Sequence, residues 1–137
     1  MSSTKSRVIE DYETLNITQH LGNGQNEFNV NILHSVIADE MILKYITIYN
    51  TNQGGGNAPK IYKIKTDLLQ GNQTLLTFPK STIYNESVDI PFNRIKNSNG
   101  DFRFTILDGS EKTPGNLPTF DMDISLTLIF VKYKYVG

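Results

Sequence analysis

Eight consecutive residues near the C-terminus, Asp121 to Leu128, alternate polar and apolar without a fault, and this period of two constrains the fold more than any other feature of the chain. Met122, Ile124, Leu126, Leu128 and Phe130 fall on one face of an extended segment, opposite Asp121, Asp123, Ser125 and Thr127. A helix would scatter this pattern around its circumference, whereas a strand sends alternate side chains to opposite faces. Phe28, Val30 and Ile32 alternate in the same way, as do Tyr62 and Ile64 against Lys63 and Lys65, and Phe102, Phe104 and Ile106 against Asp101, Arg103 and Thr105. Thr74–Phe78 reads as a further short strand, and Met41–Tyr49, β-branched and aromatic on both faces, as a central strand covered on two sides. In Val88–Phe92 the proline at 91 confines the strand to a sheet edge or a bulge.

Between these runs lie segments rich in Gly, Asn and Pro: Asn50–Pro59 with three consecutive glycines, Asn97–Gly100 with its Asn-Gly turn signal, and Asp108–Pro118. The Asn-Gly signal predicts a hairpin leading into the Phe102 strand. The triple glycine predicts a long flexible loop. Residues 1–16 carry mixed charges and few apolar side chains, and read as an N-terminal arm ahead of a domain spanning 17–137. Seven or so short strands with no convincing helix describe an all-β, two-sheet antiparallel sandwich, with a single jelly roll as the leading topology.

One irregularity stands out. After Phe130 the alternation changes phase, and Val131, Tyr133 and Tyr135 become the apolar set with Lys132 and Lys134 between them. Such a change means either a bulge or a passage of apolar character from the core to a second surface. Val131, Tyr133 and Tyr135 are therefore the candidate interface residues.

A length of 137 residues suits one domain, and 38% hydrophobic with 20% charged residues is ordinary for a globular chain able to bury a core. Thirteen basic against fourteen acidic residues leave a net charge of -1, without the positive excess a nucleic-acid binder needs, so no nucleic-acid partner is expected. The absence of cysteine removes disulfides and thiolate metal sites. Neither a signal-peptide core nor the roughly 18 apolar residues of a membrane span is present, which predicts synthesis in the cytoplasm.

No chemical site emerges. His20 and His34, the two histidines, share no metal-ligand spacing and no nucleophile motif, so no catalytic residue, metal or cofactor is expected and the chain reads as a non-enzyme. Asp121 and Asp123 share a strand face, the usual look of a solvated sheet surface. Gly22–Gly24 and Gly54–Gly56 lack the Lys-Ser/Thr pair or the helix of a phosphate cradle. Sequons at Asn16, Asn72 and Asn85 occur at about the frequency chance supplies in a chain this rich in Asn, Ser and Thr. Tyrosine dominates the aromatic residues with polar neighbours, which suits protein interfaces and sugar-binding surfaces alike.

Two segments together carry a family likeness. Asp39–Asn52 (DEMILKYITIYNTN) is a strand ending in an Asn-Thr turn, and Gly100–Tyr133 joins a strand and Asp-Gly turn (GDFRFTILDG) to a loop and a long closing strand. In this the chain resembles the small single jelly-roll capsid proteins, penton or minor capsid, of double-jelly-roll-lineage DNA viruses such as virophages, polinton-like viruses and tectivirus-like phages. The resemblance implies a structural virion protein that forms a homo-oligomer, favouring a pentamer, and assembles with other capsid proteins. A carbohydrate- or receptor-binding sandwich such as a fibre knob is the competing reading.

Overall fold

A computed structural model describes residues 6–33, 36–50, 58–96 and 99–137. Eight strands are formed among them: β1 (Ser6–Leu21), β2 (Glu27–Ile32), β3 (Glu40–Asn50), β4 (Ile61–Thr66), β5 (Gln73–Pro79), β6 (Ile83–Phe92), β7 (Gly100–Asp108) and β8 (Met122–Val136). They make two four-stranded antiparallel sheets, ordered β1-β8-β3-β6 and β2-β7-β4-β5. Within them the pairs β1/β8, β2/β7, β3/β6 and β4/β5 each add to nine. That is the pattern left when one long antiparallel hairpin, bent at the β4–β5 turn, is wrapped around a barrel-like core, and it defines a jelly roll.

The inward residues read from the alternation are the ones that make the core. Phe28, Ile32, Tyr62, Ile64, Phe102, Phe104 and Ile106 of one sheet meet Met122, Ile124, Leu126, Leu128 and Phe130 of the other, all buried. Phe104 stacks on Phe28 with ring centroids 5.2 Å apart, and Phe78 stacks on both Tyr62 and Tyr84, joining the two sheets. β6 forms an edge, as its proline requires, and Asp89 within it adopts a left-handed φ of 50° that kinks the strand.

Four expectations need correction. Residues 6–16 are not an arm: β1 pairs with β8 along its whole length, and the boundary expected at 16/17 falls inside the strand. Pairing uses backbone N–H and C=O groups and needs no apolar side chains, so a polar segment at a sheet edge gives no core signal. The Asn-Gly turn does not close a hairpin, because β6 and β7 belong to different sheets and the connection between them crosses the sandwich. Local turn chemistry specifies that the chain turns, not which strand it meets. β3 is central, between β8 and β6, but only one of its faces is covered, and Tyr45 and Tyr49 are exposed on the other. Finally, β1 makes the strand count eight. Of the glycine-rich loop, Thr51–Asn57 lie outside the described residues, as do His34 and the first two positions of Asn97–Gly100.

Connections alternate between the two ends of the sandwich. Residues 22–26, 58–60, 80–82 and 109–121 lie at one end; 33, 36–39, 67–72, 93–96 and 99 lie at the other, beside the start of β1 and the end of β8.

Candidate assembly surface

β3 begins at Glu40, whose cross-strand partner is Val131. Beyond that point, among the described residues, β1 is the one strand paired with β8, and Lys132–Val136 with Ser6–Ile9 form a two-stranded ribbon. At ~3.4 Å per residue the ribbon extends roughly 17 Å past β3. Its register shifts between Ile9 and Asp11, so Glu10 is the bulged residue, on the strand opposite the change of phase. β8 itself runs through Phe130 and Val131 without a shift against β3, which means that the apolar set passes from the inner to the outer face.

The three candidate residues have different environments. Val131 is 1% exposed although it lies outside the core cluster; on the outer face its cross-strand partners are Tyr12 and Glu40, and its carbonyl accepts the Asp39 N–H at 2.9 Å. Tyr133 is half-buried. Its backbone N–H donates to Asp39 Oδ2 at 2.9 Å, its hydroxyl donates to Glu40 Oε1 at 3.0 Å, and the Arg7 guanidinium lies 3.9 Å from its ring centroid. Burial, then the Glu40 carboxylate, hold the Tyr133 phenol above its ordinary pKa, against the opposing pull of Arg7. Tyr135 alone of the three is open, at 66% exposure. Val131 is thus a covered support, Tyr133 a tethered one, and Tyr135 the contactable side chain.

At the end of the sandwich that carries Tyr135, apolar exposure is wider than the change of phase suggests and involves both faces of the ribbon. Val8, Ile9, Tyr12 and Val136 are exposed on or beside the ribbon, and Leu33 and Ile37 are exposed in the adjacent connection. With Tyr135 they are seven of the eleven exposed large apolar or tyrosyl side chains among the described residues, so apolar exposure is concentrated at this end. The charges threaded through it are mostly matched within the chain: Arg7 to Glu40 at 3.7 Å and Lys132 to Glu10 at 3.3 Å. Sequence alternation could not find Val8 and Ile9, since they lie in the segment read as an arm.

Away from the ribbon, the outer face of the β1-β8-β3-β6 sheet carries polar pairs beside exposed Tyr45 and Tyr49. Thr127 Oγ1 donates to Asn16 Oδ1 at 2.8 Å, Thr47 Oγ1 to Asn85 Oδ1 at 3.0 Å, and His20 Nδ1 lies 2.7 Å from Asp123 Oδ1 with Nε2 3.6 Å from Asp121 Oδ1. His20 and both aspartates are exposed and bridge neighbouring strands, and no group of three or more His, Cys, Asp or Glu suited to a metal ion occurs among the described residues. A cleft of about 120 Å³ between Leu69, Gln73, Pro91, Phe92, Asn93 and Arg94 is well below the roughly 300–1,000 Å³ of small-ligand sites. No helix among the described residues is long and apolar enough to cross a membrane.

No protein-family model matches the sequence, and no curated protein matches it. Among solved structures, the chain is similar to the acidic stable capsid structure of Helicobacter pylori bacteriophage KHP30, with 9% identity and a TM-score of 0.47 over 98% of this chain and 99% of that one. It is also similar to the VP2 subviral particle of infectious bursal disease virus, with 11% identity and a TM-score of 0.45, and to the Gx strain of that virus, with 9% and 0.42. In both cases 90% of this chain is covered, and it spans about a third of the length of the viral chain. The jelly roll itself stands on the strand partners.

Proposed function

We propose that this chain is a structural virion protein, a single jelly-roll penton, vertex or minor capsid subunit that acts through protein–protein assembly. The observation that carries the proposal is the ribbon: a strand pair extended past its sheet, bearing exposed apolar side chains, at the end of the sandwich where Leu33 and Ile37 are also exposed. A patch of this kind marks an interaction site. Its occupants in this reading are neighbouring copies in a closed ring, favouring a pentamer, and other capsid proteins, in a particle assembled from subunits made in the host cytoplasm. Double-jelly-roll-lineage DNA viruses, whose small capsid proteins the strand pattern resembles, are the proposed setting. Nucleic acid has no part in the contact.

The test is native mass spectrometry of the full chain beside the double variant Ile9→Ser with Tyr135→Ser, both exposed positions. Rings in the wild type that dissociate in the variant support the reading. A wild type with no oligomer above a dimer, unchanged by the variant and failing to enter particles, overturns it and directs attention to a glycan array.

A further inference from the structure

The two sheets have four edge strands, and three of them are guarded against pairing. β6 carries Pro91 and the left-handed Asp89; β5 is seven residues long and ends in Pro79; β2 is six residues long. β1 is sixteen residues long; its bulge at Glu10 and three of its four charged residues, Arg7, Glu10 and Asp11, precede Tyr12, and from Tyr12 to His20 it has neither Pro, Lys nor a bulge. Its free backbone groups can be identified. Val131 and Tyr133 direct their hydrogen bonds toward Asp39, away from β1, so Tyr12, which is paired with Val131, directs its N–H and C=O to the free edge. By alternation so do Thr14, Asn16, Thr18 and His20. Two of these groups are already satisfied: the Tyr12 N–H donates to Asp11 Oδ1 at 2.8 Å, and the His20 C=O accepts from Gln19 Nε2 at 3.0 Å.

We propose that the β1 edge pairs antiparallel with β1 of a second copy about a twofold axis at Asn16, continuing the two four-stranded sheets as one sheet of eight. The register follows from complementarity. Centred on Asn16, Thr14 meets Thr18, Leu15 meets Ile17 and Glu13 meets Gln19, so like lies opposite like and no two carboxylates face each other. Centring on Thr14 or Leu15 would set Glu13 against Leu15 or Ile17; centring on Ile17 would set it against Leu21. The Asn16 register also places the satisfied Tyr12 N–H opposite the satisfied His20 C=O, so neither lacks a partner at the contact. Asn16 Oδ1 already accepts from Thr127, which leaves its amide N–H groups for the facing copy. This contact uses residues 12–20 and shares only Tyr12 with the apolar surface at the ribbon of 6–9 and 132–136.

The test is sedimentation equilibrium of the full chain and of Asn16→Lys, Asn16→Glu and Asn16→Pro. Asn16 is exposed, and its N–H is not used by β8, so each variant keeps the intramolecular ladder. Like charges at the axis are expected to weaken dimerisation about fivefold or more in the Lys and Glu variants alone, and an equimolar mixture to regain it. The Pro variant should weaken it as well. A wild type monomeric up to about 1 mM, a mixture no tighter than its components, or a Pro variant that dimerises normally overturns the proposal. Because ring loss in the ribbon variant leaves this dimer intact, failure here and failure of the assembly reading are separable.

Discussion

Replacing Phe104 with alanine tests the core at its centre. The side chain is fully buried on β7, between Phe28 on β2 and Thr66 on β4, and its ring lies nearly parallel to that of Phe28 at 5.2 Å. Truncation removes on the order of 150 Å² of buried aromatic surface, roughly 4 kcal/mol at about 25 cal/mol per Å², and loses a stacked pair of about 0.5–1 kcal/mol. Partial collapse of the site brings the expected cost to about 3–5 kcal/mol, a large share of the roughly 5–15 kcal/mol of a typical domain. Urea denaturation followed by tyrosine fluorescence and far-UV circular dichroism should therefore show the midpoint displaced by about 2 M with an unchanged slope. Tyr45→Ala, half exposed on the outer face of β3, serves as the control and should cost less than about 1 kcal/mol. A Phe104→Ala cost below about 1 kcal/mol at unchanged slope, or parity between the two variants, would refute the assignment of the inner face.

Leu126→Ala, in the core of the opposite sheet, should cost about 2–5 kcal/mol in the same assay, because it opens a cavity between sheets. Removal of residues 1–16 should lower the melting temperature by about 10 °C or more in calorimetry, since it strips most of β1 from β8; a change of a degree or two would mean that the pairing contributes nothing. Tyr62→Phe should cost about 1–2 kcal/mol, because it removes the hydroxyl that accepts from buried Asn116 Nδ2 at 3.2 Å, while the side chain's Oδ1 already has no partner among the described residues. Stability should fall at alkaline pH. The Asp89 hydrogen bond and charge hold Lys44 above its ordinary 10.5, and burial holds Tyr84 and Tyr133 above 10.0, so the native state keeps protons that the unfolded chain releases. Their contribution is full below about pH 10 and is lost as pH rises through the folded values; Asp89→Asn should flatten part of that fall in pH-dependent denaturation.

How much of this was legible in the sequence differs strand by strand, and the reason is where each side chain points. β2, β4, β7 and β8 were readable because one face of each meets the core and the other meets water, which writes the strand period directly into the apolar residues. β6 was readable as an edge from Pro91 alone. β3 was placed in the middle of its sheet but credited with two covered faces, because exposed Tyr45 and Tyr49 look apolar in a sequence. The hairpin at Asn97–Gly100 failed for a different reason. Strand partners more than a hundred residues apart, such as Leu15 and Leu128, are set by the wrapping of the whole chain, and no turn signal carries that information.

The site was half legible, and the missing half has the same origin as the missing strand. The change of phase at Phe130/Val131 correctly marked apolar character crossing to the outer face, but not that Val131 is covered or that Glu40 and Arg7 hold Tyr133 in place. Those partners come from β1 and from the start of β3, segments in which the charged residues look like ordinary solvated surface. β1 was invisible because it contributes few side chains to the core: Ile17 and Leu21 are buried, Leu15 partly so, and the rest are polar or exposed. A strand whose side chains are largely not needed inside is held at a sheet's edge by its backbone, and a long backbone edge without proline or lysine, and with no further strand on it among the described residues, is itself an adhesive. The polarity that hides β1 from a search for a core therefore belongs to the same residues, Thr14 to Thr18, that make its edge complementary to a second copy. If Asn16→Lys and Asn16→Glu associate only with each other, the least conspicuous segment of the sequence is an interface.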